Sequence, residues 1–164
     1  HVAACAGVIK GLEAKGDDGK ISSVPNAMVL FNPPCVMAPM PERKEFLNPE
    51  NIAGLRERMG VPLEQLSPWH HVRKGLPPTL VLHGKDDPTV KFWTAEAFVK
   101  KMKAAGNQAE LAAYPGQKHG FFNYGRRGNK MFIATMRRTD EFLASLGWLK
   151  GKPSIEKFAG RERK

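Results

Sequence analysis

Three short runs of apolar residues, separated by helical segments, constrain the fold of this chain most strongly. The runs span residues 27–31, 79–84 and 109–114, and each is ended by Asn, Gly or Pro. Continuous apolar runs of this length are typical of strands that are buried on both faces of a parallel sheet. Their alternation with helices predicts an α/β fold with three mostly parallel strands. Because three strands are few for a free-standing domain of this class, we expect the rest of the sheet outside these residues.

The helical segments are recognised by apolar residues spaced three and four positions apart. We predict helices over residues 2–12, 51–59, 92–105 and 131–149, the third of which stops at Gly106-Asn107. We expect residues 1–150 to form a portion of one domain. The basic tail at 151–164 is expected to lie loose on the surface.

The net charge of +10 in a chain of 164 residues raises the question of an anionic partner. Residues 150–164 carry +4 of it, and the remaining basic residues are scattered without the interleaved aromatic residues that single-stranded nucleic acid requires. We therefore expect no nucleic-acid partner. No apolar run approaches the roughly 20 residues of a membrane-spanning helix, so we expect no membrane segment either.

The cysteines and the adjacent histidines do not predict a metal site. Cys5 and Cys35 are isolated from each other and from any histidine at ligand spacing. His70 and His71 point in different directions on a regular element, and no third ligand is suitably spaced. We expect no metal and no cofactor.

An acid and a histidine follow two of the predicted strands. Asp86 and Asp87 come just after the second run, and His119 comes just after the third. Open α/β sheets place their active sites at the carboxyl ends of strands. Each residue alone fits an ordinary turn, but together they are the second and third members of a nucleophile, acid and histidine arrangement. In such an arrangement the histidine takes the proton of the nucleophile and the carboxylate orients the histidine.

These motifs resemble the α/β-hydrolases, most closely the small serine esterases of the acetyl esterase and dienelactone-hydrolase-like branch. The resemblance rests on His83-Gly84-x-x-Asp87-x-x-Val90, on Gly116-x-x-His119-Gly120-Phe121, on the helix between them and on Ser67-Pro68. It implies that Asp87 is the catalytic acid, His119 the base and Asp86 a bystander. It also implies that residues 35–68 occupy the place of a cap or lid insertion.

The G-x-S-x-G nucleophile elbow of that family is missing. None of the five serines lies in such a frame: Ser22, Ser23, Ser67, Ser145 and Ser154. The segment that starts at His1 resembles the helix that follows the elbow, so we expect a processed or truncated chain with the elbow just upstream. This chain would then be the C-terminal part of a hydrolase. Its first strand would present an apolar edge, which favours oligomers or pairing with the missing half.

The resemblance implies hydrolysis of a small-molecule carboxylic ester by a Ser-Asp-His mechanism in the full-length protein, with a short-acyl, acetyl or carbohydrate ester as substrate. Phe121, with Phe122 and Tyr124, lines an acyl or leaving-group pocket or packs under the histidine loop. Four alternatives remain open: a dienelactone-hydrolase-like enzyme with a Cys nucleophile, a prolyl-peptidase-type serine hydrolase, a non-catalytic binding protein, and a basic nucleic-acid-binding module.

Overall fold

The computed structural model describes residues 1–11, 13–43 and 49–159 and contains one parallel sheet. Its strands are β1 (Met28–Phe31), β2 (Thr79–Gly84) and β3 (Ala109–Tyr114), in the order β1-β2-β3. The second and third strands coincide with the predicted runs, and the first begins one residue later than predicted. The three parallel strands of the predicted α/β fold are therefore confirmed.

Helices surround the sheet and connect its strands. The α-helices are α1 (Val2–Val8), α2 (Pro49–Met59), α3 (Phe92–Ala104), α4 (Lys130–Ser145) and α5 (Ile155–Ala159). Short 3-10 turns lie at Leu63–Leu66, Pro68–His71 and Arg127–Asn129. Among the described residues, no helix has both the length and the apolar character needed to cross a membrane.

Both faces of the sheet are covered, because successive side chains of a strand point in opposite directions. On one face, Val81 joins a cluster with α1 and α3 that includes the fully buried Phe98. On the other face, Leu80 and Leu82 pack against Phe142 of α4. The fold therefore has three layers, and the continuous apolar character of β2 reflects its burial on both sides.

Glycines end the two long helices. In α3, Gly106 (φ 79°) donates its N–H to Lys103 O, and the Asn107 N–H bonds to Met102 O at 3.0 Å. This 6→1 and 5→2 hydrogen-bond pair at a left-handed glycine is the usual helix stop. The prediction that α3 stops at Gly106-Asn107 is confirmed.

The predicted end of the last helix is wrong by four residues. Gly147 adopts φ 79°, and the N–H of Trp148 turns back to Leu143 O at 3.1 Å, so α4 ends at Ser145. The apolar spacing continues to Leu149, but Leu149 lies after Gly147, where the backbone reverses.

The two ends of the described chain also differ from expectation. The first helix ends at Val8, because Ile9 is already extended (φ −91°, ψ 137°); Leu12 lies outside the described residues. The tail is not wholly loose, since residues 155–159 form α5 and Arg137 of α4 donates to the carboxylate of Glu156. Residues 160–164 lie outside the description.

The segment predicted as a cap is described at residues 35–43 and 49–68. Its predicted helix is confirmed as α2, which begins two residues early at Pro49, a position where proline is well tolerated. The start of the segment is held by the N–H of Trp69, which bonds to Cys35 O at 2.9 Å. The roles of residues 35–68 as a lid and of residues 1–150 as one domain portion stay predictions.

Candidate active site

The loop after β2 buries the carboxylate of Asp87. Its Oδ1 accepts hydrogen bonds from the backbone N–H groups of Thr89 (2.8 Å) and Val90 (3.0 Å), and its side chain is 0% exposed. A buried carboxylate needs such hydrogen-bond donors, because burying an unpaired charge is costly. With Oδ1 occupied in this way, Oδ2 is directed toward the neighbouring loop.

His119, in the loop after β3, meets that second oxygen. Its Nδ1 lies 2.7 Å from Asp87 Oδ2, and 43% of its side chain is exposed. Because a carboxylate accepts, Nδ1 carries the proton and Nε2 presents a lone pair. Within the described ranges, no protein group hydrogen-bonds to Nε2. The structure therefore brings together the acid and histidine that the sequence singled out, whereas Asp86 stays exposed.

A close backbone approach at Gly84 fixes the two loops relative to each other. The N–H of Lys85 donates to Tyr114 O at 3.0 Å, and that of Asp86 to Gln117 O at 3.1 Å. A Cβ on Gly84 would lie 2.3 Å from Gln117 O. Only glycine fits here, because a side-chain atom would push the histidine loop away from the acid loop.

His83, at the end of β2, is a second imidazole beside Asp87 that the sequence analysis did not assign to the site. It is fully buried, and its Nε2–H donates to Val90 O at 2.9 Å, while Nε2 lies 3.5 Å from Asp87 Oδ2. Burial lowers the pKa of His83, so the ring is neutral near pH 7. A neutral His83 adds no positive charge beside the carboxylate, so its part here is to donate to Val90 O and pack against Asp87.

Asn32, which follows β1, was also missed. Its Oδ1 accepts the N–H of Gly84 at 3.1 Å, and its Nδ2 lies 3.5 Å from Nδ1 of His119. Since both of those nitrogens are donors, the second contact is packing and not a hydrogen bond. The backbone of Asn32 is left-handed (φ 43°), a conformation that asparagine adopts more readily than most residues. An asparagine at the end of the first apolar run was therefore the one sequence signal for this position.

The aromatic residues after His119 form a cluster at this end of the sheet. Phe121 is only 7% exposed and lies between Tyr114 (ring centroids 4.9 Å apart) and Phe122 (5.5 Å). It also lines, together with His119, a cavity of about 260 Å³. Phe121 thus packs under the histidine loop and borders the cavity at once, and its part in substrate binding stays a prediction. Tyr124 is 51% exposed.

Ser67 and His70 form a separate hydrogen-bond network away from Asp87 and His119. Ser67 is fully buried, where its Oγ accepts the N–H of Met37 (3.0 Å) and lies 2.8 Å from Nδ1 of His70. The Nε2–H of His70 in turn donates to Pro39 O at 3.0 Å. This closed network attaches residues 37–39 to the turn at Pro68–His71, and it leaves Ser67 no access to a substrate.

The two cysteines are poor nucleophiles in this environment. Both are buried, and burial raises the pKa of the Cys5 and Cys35 thiols, so both stay protonated near neutral pH. Neither cysteine is therefore an activated nucleophile, and neither is Ser67.

Several solved structures share this fold and much of this sequence. The propionate-bound form of a thermophilic esterase from the planctomycete Thermogutta terrifontis has a TM-score of 0.81 and 41% identity, covering 92% of this chain and 53% of that chain. The butyrate-bound form of this esterase also has a TM-score of 0.81 and 41% identity, and the match covers 92% of this chain and 54% of the esterase chain. Thermogutta terrifontis esterase 2 phosphonylated by sarin gives a TM-score of 0.83 at 41% identity, with coverages of 91% and 54%. The chain thus spans about half the length of these esterases.

No curated protein matches the sequence. The profile of the prolyl oligopeptidase family matches residues 45–146, which is more than half of the chain and includes both Asp87 and His119. This match, together with the fold that the chain shares with the esterase, shows that the chain belongs to the prolyl oligopeptidase family of α/β-hydrolases.

Proposed function

We propose that the full-length protein hydrolyses carboxylic esters by a Ser-Asp-His mechanism, and that this chain supplies the acid and the histidine. The observation that carries the proposal is the 2.7 Å contact between His119 Nδ1 and the buried Asp87 Oδ2. It leaves the unprotonated Nε2 in a half-exposed ring, which is the form and the position that a general base needs. The serine is contributed by a segment outside these 164 residues.

In the acylation step, Nε2 of His119 takes the proton from the serine hydroxyl while the serine oxygen attacks the ester carbonyl carbon. The carbonyl electron pair moves onto its oxygen, and Asp87 stabilises the imidazolium that forms. When the carbonyl re-forms, the bond to the alcohol breaks and Nε2–H protonates the departing oxygen. An acyl-serine and a free alcohol result.

Deacylation repeats the sequence with water as the nucleophile. His119 removes a proton from water, the hydroxide attacks the acyl carbon, and the proton returns to the serine oxygen as the acid leaves. His119 therefore acts as base and then as acid in each half-reaction. Asp87 stays ionised throughout, because it stabilises the imidazolium and is not itself protonated.

The acyl group we propose is short. The Thermogutta terrifontis esterase is found with propionate and with butyrate, and this chain shares 41% of its sequence over the matched region. An acetyl group on a carbohydrate or another alcohol falls in the same size class. The acyl groups of the two bound acids set the first substrates to test.

Peptide hydrolysis is the second candidate, and the matched family profile favours it. The same acid and histidine serve either reaction, since an amide and an ester differ in the leaving group that the histidine must protonate. Family membership alone does not fix the substrate, because one fold hosts many activities.

Parallel assays on the full-length protein separate the two candidates. We expect turnover of 4-nitrophenyl butyrate and little release of 4-nitroaniline from Gly-Pro 4-nitroanilide. A fluorophosphonate probe should label one serine, and its labelling should be lost in His119→Ala. His71→Ala is a matched control, since that ring bonds to Glu64 O instead. Preferential cleavage of the anilide would replace the ester proposal by the peptidase one.

A further inference from the structure

The cavity beside His119 has a strongly basic wall. Its lining includes His119, Phe121 and Met131 on the reacting and apolar sides, and the three cations Lys118, Arg126 and Arg127. No acidic side chain from residues 1–11, 13–43 and 49–159 lines it. A cavity of about 260 Å³ is small, so a group that enters it from His119 must lie close to these cations.

Among the residues that the structure describes, no carboxylate pairs with these three cations. In the described part of the chain, the ion pairs within 4.0 Å are those of His83 and His119 with Asp87, of Arg137 with Glu156 and of Arg138 with Glu110. No described carboxylate therefore neutralises Lys118, Arg126 or Arg127, and their charge is available to a ligand. Asp86, the acid of the adjacent loop, is exposed and not among their partners.

The guanidinium group of Arg126 lies beside the histidine loop. An ideal Cβ on Gly120, the residue after His119, would lie 3.9 Å from Nη1 of Arg126. Arg127 has a left-handed backbone (φ 46°), a conformation that a turn would ordinarily give to Gly or Asn. The needs of the turn therefore do not account for an arginine at this position.

We infer that this cavity binds a carboxylate carried by the acyl part of the ester substrate, with Arg126 and Arg127 as its main partners. This inference rests on the proposed ester hydrolysis and adds a preference within its short-acyl substrates for esters whose acyl chain ends in an ionised carboxyl group. The guanidinium fork matches a carboxylate in two parallel hydrogen bonds, which a lysine cannot reproduce. Phe121 and Met131 would contact the methylene groups between the ester and the carboxylate.

A pair of substrates with the same number of acyl carbons isolates the charge. 4-Nitrophenyl hydrogen glutarate and 4-nitrophenyl pentanoate differ in having a carboxylate or a methyl at the end of the chain. On the full-length protein, we expect the ratio of kcat/KM for the glutarate to that for the pentanoate to exceed one, with the uncatalysed rate subtracted. Raising the ionic strength should lower the ratio, because salt screens exposed charges.

Variants of the two arginines test the site itself. Arg126→Gln and Arg127→Gln should each lower the ratio by about three- to tenfold, and the double variant by more, chiefly through KM of the glutarate. Lys103→Gln removes the same charge from the far end of α3 and should leave the ratio unchanged. Thermal unfolding of each variant reports that it is folded.

The failures of the two proposals look different. If the wild-type protein turns over the pentanoate but the double variant keeps the wild-type ratio, the carboxylate site is wrong and ester hydrolysis stands. If the protein hydrolyses neither ester, the proposed function falls and this inference falls with it.

Discussion

Asp87→Asn in the full-length protein changes one atom of the acid and histidine pair while keeping its shape. Oδ1 of Asp87 accepts two backbone N–H groups, so the amide oxygen of the asparagine must take that position. The amide NH₂ group then faces Nδ1 of His119 from the place where Oδ2 lies 2.7 Å away. Because NH₂ donates, Nδ1 must give up its proton, and Nε2 carries the proton instead.

This tautomer cannot accept the proton of a serine, and the imidazolium also loses its buried counter-charge. A neutral residue that imposes the wrong tautomer in an acid, histidine and serine triad lowers kcat by about 10⁴. We expect a loss of about 10³ to 10⁴ in kcat here. At about 1.4 kcal/mol per tenfold, this loss corresponds to roughly 4 to 5.5 kcal/mol of transition-state stabilisation.

The assay is kcat and KM for 4-nitrophenyl butyrate, measured together with thermal unfolding. KM should change little, because the carboxylate is buried and does not touch the substrate. Asp86→Asn, on the adjacent exposed residue, removes the same charge from the same loop and should keep activity within about twofold. A folded Asp87→Asn protein with more than about a tenth of wild-type kcat would refute the assigned role of this contact.

Three further predictions concern packing and protonation. Gly84→Ala should cost about 1 to 3 kcal/mol of stability and roughly 10²-fold in kcat, since its Cβ would lie 2.3 Å from Gln117 O; Gly54→Ala, with nothing within 4 Å, should be neutral or stabilising in urea unfolding. Phe142→Ala, in the fully buried layer under α4, should lower the free energy of unfolding by about 3 to 5 kcal/mol in the same experiment. Burial lowers the pKa of His70 below its ordinary value of 6.5. The free energy of unfolding should therefore fall as the pH decreases below about 6.5, because the unfolded chain then binds a proton that the folded chain does not. His70→Gln should make this dependence on pH less steep.

The strands were predictable because their composition is determined by burial on both faces. Residues 79–84 and 109–114 match the observed strands at both ends, since each run stops where the chain leaves the sheet. The helix ends were less predictable. Gly106 terminates α3 as expected, whereas Gly147 ends α4 inside an apolar pattern that continues beyond it. The helix α5 is accompanied by a contact between Arg137 and Glu156, which are far apart in sequence, so local pattern does not predict it.

Within the site, chain order and strand context were enough to pair Asp87 with His119, because the carboxyl ends of neighbouring parallel strands meet at one edge. The supporting residues carry no such signal. Asn32 ends one apolar run and His83 lies within another, so their bonds to Gly84 and Val90 arise only when the strands are aligned. The approach of Arg126 to the histidine loop likewise depends on a turn whose geometry the sequence does not specify.

The most direct test of the central claim is kcat of the full-length His119→Ala protein with 4-nitrophenyl butyrate, measured beside its unfolding curve. We predict a folded protein whose kcat falls by at least about 10³, because the serine loses the base proposed for it. Wild-type kcat in a folded His119→Ala protein would contradict the claim that the Asp87 and His119 pair performs the chemistry.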